Sequence, residues 1–191
     1  MGKLNKLMVH CTDSPAGRAV SSGEIHQWHR SPLELENGEI KYMRKVYSSR
    51  KDLPNEKING IDIKLLSGRG WSKVGYTAMI HLDGTLEVLV DHNEDNWVDS
   101  SEITNGAAGF NGNTRHIVIV GGTGFNMADF DEVLTSQQFV TLQIYIKEFL
   151  GKHPECQVLG HYQVNPNKGC PGFNMPKFLK FISIPKKYIY A

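Results

Sequence analysis

The apolar positions of this chain change period several times, and each change marks an element. Residues 4–9 (LNKLMV) predict a short strand ending at His10, followed by a turn at Asp13-Ser14-Pro15. Ser21 and Glu24 make a capping box, each side chain closing the other's free backbone N–H, so a short helix opens here with Ile25 and Trp28 on one face. After Gly75, YTAMIHL and TLEVLV flank Asp83-Gly84, the pattern of two strands joined by a tight hairpin. His116–Val120 (HIVIV) is an apolar, β-branched run after its first residue, as in a strand buried on both faces. Thr135 and Gln138 form a second capping box, with Leu134 and Phe139 as its hydrophobic staple. The helix that follows carries Phe139, Leu142, Ile146, Phe149 and Leu150 on one stripe and is expected to stop at Gly151. QVLGHYQV, the loop NPNKGCPGF and a short C-terminal helix complete the pattern.

Strands flanked by amphipathic helices predict an α/β fold, a single domain over residues 1–182 with a central mixed sheet and a tail at 183–191. Residues 31–68 are polar and broken by Pro32, Pro54 and several glycines. They read as an insertion or long loop inside that domain, too poor in apolar residues for a core of their own. Residues 93–114 read as a Gly/Asn-rich loop.

Composition narrows the function. A length of 191 residues is a little more than one average domain of roughly 150. Twenty-one basic against 20 acidic residues leave a net charge of +1, which removes a strong electrostatic case for nucleic acid or an anionic membrane. The basic run Lys41, Arg44, Lys45, Arg50 and Lys51 reads as a solvated loop. Three cysteines imply no disulfide framework and fit a reducing compartment. The run Leu7-Met8-Val9 is far too short for a secretion signal, and no stretch approaches the roughly 18 apolar residues of a membrane span. The product is therefore expected in the cytoplasm of the cell that makes it until another factor releases it.

Eight histidines and three cysteines make a metal site worth seeking. His10 ends the first strand, and His161 and Cys170 flank a turn-rich loop. A catalytic zinc commonly takes three protein ligands and leaves a fourth position for water. On residue type and position alone, an ordinary buried cysteine and two surface histidines are the favoured reading. Cys11 is expected in the core, because strand alternation turns it away from His10. His26 and His29, three apart on a short helix, read as surface or packing residues.

Four segments, in order, carry a resemblance: VHCTDSP (9–15), EIHQWHR (24–30), GWSKVGY (70–76) running into the IHLDGTLE hairpin, and LGHYQVNPNKGCPGF (159–173). Together they resemble the zinc-dependent N-acetylmuramoyl-L-alanine amidases of the type 2 amidase family, which includes small bacteriophage lysozymes and the peptidoglycan recognition proteins. The resemblance covers most of the chain apart from about residues 31–68 and the tail. It implies that His10, His161 and Cys170 bind Zn2+ in a surface cleft, and that Tyr76 and Lys168 are active-site residues. It further implies an enzyme, expected to be a monomer, cleaving the amide between N-acetylmuramic acid and L-alanine of bacterial peptidoglycan as a phage or prophage endolysin.

The sequence departs from that pattern at three places. Thr77 stands where many members have histidine after the tyrosine, Gly106 where phage enzymes often have another, and Thr114-Arg115-His116 where the strand often reads Ser-Ile-Gly. None of the three is expected to touch the ligands, Tyr76 or Lys168, but all would change the polar surroundings of the pocket. Two rival readings differ in kind: a non-catalytic peptidoglycan-binding module, and a cysteine hydrolase using Cys170 or Cys11. Retention of Cys170 together with both histidines, Tyr76 and Lys168 speaks for the enzyme.

Overall fold

The computed structural model describes residues 2–190 and resolves the chain into two compact units, residues 1–20 with 76–191 and residues 21–75. In the larger unit, five strands form one sheet: β1 (Lys6–Cys11), β2 (Ala78–Ile80), β3 (Leu86–Val88), β4 (Thr114–Ile119) and β5 (Gln157–Gly160). Their spatial order is β5-β1-β4-β2-β3. The β5-β1, β1-β4 and β4-β2 pairs are parallel, and only the β2-β3 hairpin is antiparallel. The sheet is thus mixed, within an α/β fold.

Every residue of β4 is buried, as the apolar run requires of a strand flanked on both sides. One face of the sheet presents Leu7, Val9, Cys11, Ala78, Ile80, Ile117, Ile119 and Val158 to the main core. Two helices supply the other half of that core. Helix α2 (Ser136–Lys152) starts at the predicted capping box, with the Thr135 side chain accepting from the Gln138 amide, and runs one residue past Gly151. Its buried positions are Gln138, Leu142, Ile146, Phe149 and Leu150. Helix α3 (Met175–Phe181) adds Met175, Phe178 and Leu179, and its cap, Asn174, accepts from the Lys177 amide. The opposite face of the sheet is smaller and mixed: Met8 and Leu159 pack there with Ala107, Phe110, Val164 and Tyr190. The predicted loop over 93–114 is largely irregular, but Trp97–Val98 pairs with Gly2–Lys3 as a short two-stranded ribbon.

The segment set apart as a tail is docked. Ile184 is buried, and the Tyr190 amide donates to the Val158 carbonyl, so apolar side chains at the end of the chain lie against β5. Ala191 lies outside the described residues.

The smaller unit corrects the expectation of a coreless insertion. Short antiparallel strands (Leu33–Glu34, Ile40–Tyr42 and Lys45–Tyr47) and the pair Lys57–Ile58 with Ile61–Asp62 surround a cluster of Ile40, Tyr42, Leu53, Ile58 and Ile63. Five apolar side chains suffice because polar groups inside the unit find partners. The Tyr42 hydroxyl donates to Glu56 at 2.8 Å, and Arg50 donates to the Leu66 carbonyl at 2.7 Å and to the Ser67 hydroxyl at 2.8 Å. One member of the basic run is therefore a structural clamp, while Lys41, Arg44, Lys45 and Lys51 lie at the surface. Helix α1 (Ser22–Arg30) carries the predicted Ser21–Glu24 capping box. His29 on this helix is a packing residue: its Nδ1 accepts from the Gly75 amide at 3.1 Å, and its ring lies 4.8 Å from that of Trp71.

Candidate metal centre

Three separate segments of the larger unit bring His10, His161 and Cys170 together. One donor atom from each lies within 4.8 Å of the others, and no second group of three such residues is found among the described residues. In a tetrahedral zinc site with ordinary bond lengths, neighbouring ligand atoms stand about 3.3–3.6 Å apart, so the three donors need only small movements to meet one ion. Two imidazoles and one thiol are a donor set suited to zinc, and three ligands leave a fourth position open. The residues present fit the metal that the resemblance implies.

Each candidate ligand is placed by an identifiable local cause. His10 lies in β1, where the parallel register sets it beside Val118 of β4 and turns its side chain away from the helices. It is 1% exposed. His161 follows directly on β5 and opens a single 3-10 turn whose Val164 amide returns to the His161 carbonyl. Gly160 lets this turn pass close to the cysteine loop: a Cβ at that position would sit 2.8 Å from Pro171 Cδ. Cys170 closes the loop by accepting the Tyr162 amide at its carbonyl, and its peptide bond to Pro171 is cis. The Cys11 amide donates to the Cys170 sulfur at 3.0 Å. Cys11 itself belongs to the main core as expected, yet it also touches Cys170.

The remaining expected residues stand around this point. The Tyr76 ring is half-buried, with its centroid 5.2 Å from that of His10. Lys168 is exposed in the turn before Cys170, its amide bonded to the Asn165 carbonyl. Burial lowers the pKa of His161, and the Lys168 ammonium lowers it further, which puts that charge within electrostatic reach of the donors. Burial pushes the Cys170 thiol well up, so a cation at the shared point is what would draw it to thiolate.

Sequence reasoning missed one residue. His116, expected to touch none of the ligands, places its Nδ1 2.9 Å from His10 Nε2. The cause is register: His10 pairs with Val118, and alternation puts His116, two residues earlier, on the same face. A histidine opening an otherwise apolar buried run was the available signal, but it could not be used without knowing which strand lies alongside. Burial, and secondarily the charge of His161, hold the His116 pKa down to about 3, so its imidazole is neutral. Its neighbour on the other side is Thr77, another departure: the Thr77 amide donates to the His116 carbonyl at 2.7 Å.

No protein-family model matches the chain. It is 25% identical over 181 residues to the endolysin of Enterobacteria phage K11, covering 93% of this chain and 87% of that protein. Among solved structures, N-acetylmuramoyl-L-alanine amidase LysC from Clostridium intestinale shares its fold with a TM-score of 0.56 at 17% identity, over 96% of this chain and 87% of that one. Drosophila PGRP-LB does so with a TM-score of 0.54 at 18% identity, over 100% of this chain and 85% of that one, and a variant of it has been solved with tracheal cytotoxin. Along nearly its whole length the chain is thus similar to phage endolysins, and it shares the fold of the N-acetylmuramoyl-L-alanine amidases and peptidoglycan recognition proteins.

Proposed function

We propose that this protein is a zinc-dependent N-acetylmuramoyl-L-alanine amidase, a phage endolysin that cleaves the amide joining the lactyl group of N-acetylmuramic acid to L-alanine in bacterial peptidoglycan. The observation that carries this reading is the convergence of His10, His161 and Cys170 on one point. When bound there, zinc lowers the pKa of a water toward ~7 and polarises the scissile carbonyl. The protein's own residues supply the rest. His10, His161 and Cys170 hold the ion and leave one side open to substrate. Lys168 sets a positive charge beside the carbonyl oxygen as it gains negative charge, where such a donor is worth roughly 3–4 kcal/mol. The Tyr76 hydroxyl orients the attacking water or passes a proton to the departing amine. The substrate is the muropeptide of the wall, reached after release from the cytoplasm, and the working unit is a monomer.

Mass spectrometry of digested sacculi tests the reading, with one arm dialysed against a chelator and one re-supplied with zinc. Free stem peptides with an L-alanine amino terminus are expected, lost with the chelator and restored by zinc. New reducing sugar ends, or activity indifferent to the chelator, would overturn it.

A further inference from the structure

His116 is a buried polar side chain, in contact with a proposed ligand, that the mechanism above does not use. Its Nδ1 meets His10 Nε2 at 2.9 Å, and its own Nε2 has no hydrogen-bond partner among the described residues. The contact between two imidazoles holds a single proton, so one ring donates and the other accepts. If His116 donates from Nδ1, His10 accepts at Nε2 and carries its remaining proton on Nδ1. If His10 donates from Nε2, its Nδ1 bears a lone pair. Because Nε2 is taken by His116, a metal shared with His161 and Cys170 would have to be held by Nδ1 of His10. Only the second arrangement allows this.

We infer that His116 is a positioning residue: it accepts the Nε2 proton of His10, fixes the ring's tautomer and orientation, and so presents Nδ1 to the metal. The inference rests on the metal site proposed above and deepens it. The geometry suits the role. Both histidines lie within the β1-β4 ladder, where backbone hydrogen bonds fix their Cα positions, and neither is appreciably exposed, at 1% and 0%. Water therefore does not compete for the proton. Hydrogen-bonded partners of ligating histidines are more often a carboxylate, a carbonyl or water; a neutral imidazole does the same work without burying a second charge. The Thr77 hydroxyl supports the arrangement from the other side, accepting the His116 amide at 3.4 Å.

Zinc affinity and tautomer state test this on the intact chain. Competition against a chromophoric chelator is measured for the unmutated protein, His116→Leu and His116→Asn. His116→Leu should bind zinc about 10–100-fold more weakly. His116→Asn, whose carboxamide oxygen falls near the place of Nδ1, should recover most of that loss. In parallel, long-range 15N–1H spectra of the unmutated zinc-loaded protein should show His10 with a protonated Nε2 and a metal-bound Nδ1. This readout does not depend on whether the leucine variant folds. Equal zinc affinity in a folded His116→Leu, or His10 bound through Nε2, would overturn the inference and leave the metal reading intact. Failure of the unmutated protein to take up zinc would overturn the metal reading and the inference with it.

Discussion

The backbone amide of Cys11 points at the sulfur of Cys170 from 3.0 Å away, so the strand that carries one proposed ligand also holds another. An amide cannot be deleted by mutation, but the packing that aims it can be disturbed. Gly122 lies against Cys11 with φ +93°, and a Cβ there would stand 2.6 Å from the Cys11 sulfur. Gly122→Ala combines a disfavoured backbone conformation with an overpacked contact, and about 2–5 kcal/mol of destabilisation is expected. Urea unfolding measures it. Zinc affinity should fall as well, because any shift of Cys11 drags the Cys170 sulfur off the shared point. A loss below about 1 kcal/mol would mean the chain relaxes there freely.

Tyr76 and Lys168 should separate from the ligands in their effects. Neither side chain belongs to the donor group, so Tyr76→Phe and Lys168→Ala are expected to retain zinc. Tyr76→Phe should lower turnover of purified sacculi about 100-fold or more, and Lys168→Ala about 100- to 1,000-fold. His161→Ala should lose both metal and activity. Metal analysis alongside turbidity assays checks this, and a Lys168→Ala enzyme of full activity would remove the lysine from the mechanism.

The parts legible in the sequence are those in which local chemistry and tertiary packing agree. Thr135 and Gln138 announce α2 because a capping box closes free amides whatever packs nearby, and the apolar run from Ile117 reads as buried because no polar face interrupts it. The donor residues were found through a resemblance, since spacing says nothing about which strands become neighbours. What stayed hidden depends on register or on small numbers of apolar residues. His116 meets His10 only because β1 and β4 are adjacent and in a particular register. The smaller unit's core uses five side chains scattered over 24 positions, Ile40 to Ile63, too sparse for any periodicity to stand out.

His29 makes the stability of residues 21–75 sensitive to acid. Burial, helped by the charge of Arg69, lowers its pKa from 6.5 to about 4. Below pH 6.5 the unfolded chain takes up a proton that folded His29 refuses until about pH 4. Stability should therefore be level above about pH 6.5 and decline as the pH falls toward 4, by up to about 3 kcal/mol from this residue. His29→Asn keeps an acceptor for the Gly75 amide but cannot titrate. Its urea midpoint, followed by tryptophan fluorescence, should sit lower at neutral pH and vary less between pH 7 and 4. Parallel profiles for the two proteins would show that His29 is not the group responsible.

Gln138 ties the helix layer to the sheet, and its replacements should rank by what they leave unpaired. Its Oε1 accepts the Thr135 amide at 3.1 Å, completing the capping box. Its Nε2 donates to the Val120 carbonyl, just past the end of β4, at 2.8 Å and, at 3.4 Å, to the carbonyl of Ile80, the last residue of β2. The side chain is fully buried. Gln138→Ala strands a carbonyl and an amide and leaves a cavity, which together should cost about 2–4 kcal/mol. Gln138→Glu preserves the volume and the acceptor but turns a second oxygen toward two carbonyls. It must either bury an unpaired charge or take up a proton, so it should be at least as damaging at neutral pH and should regain stability as the pH falls toward 5. Urea unfolding at pH 5 and 7.5 checks the order. If Glu proved milder than Ala at pH 7.5, the donated hydrogen bonds would contribute less than the filled volume does.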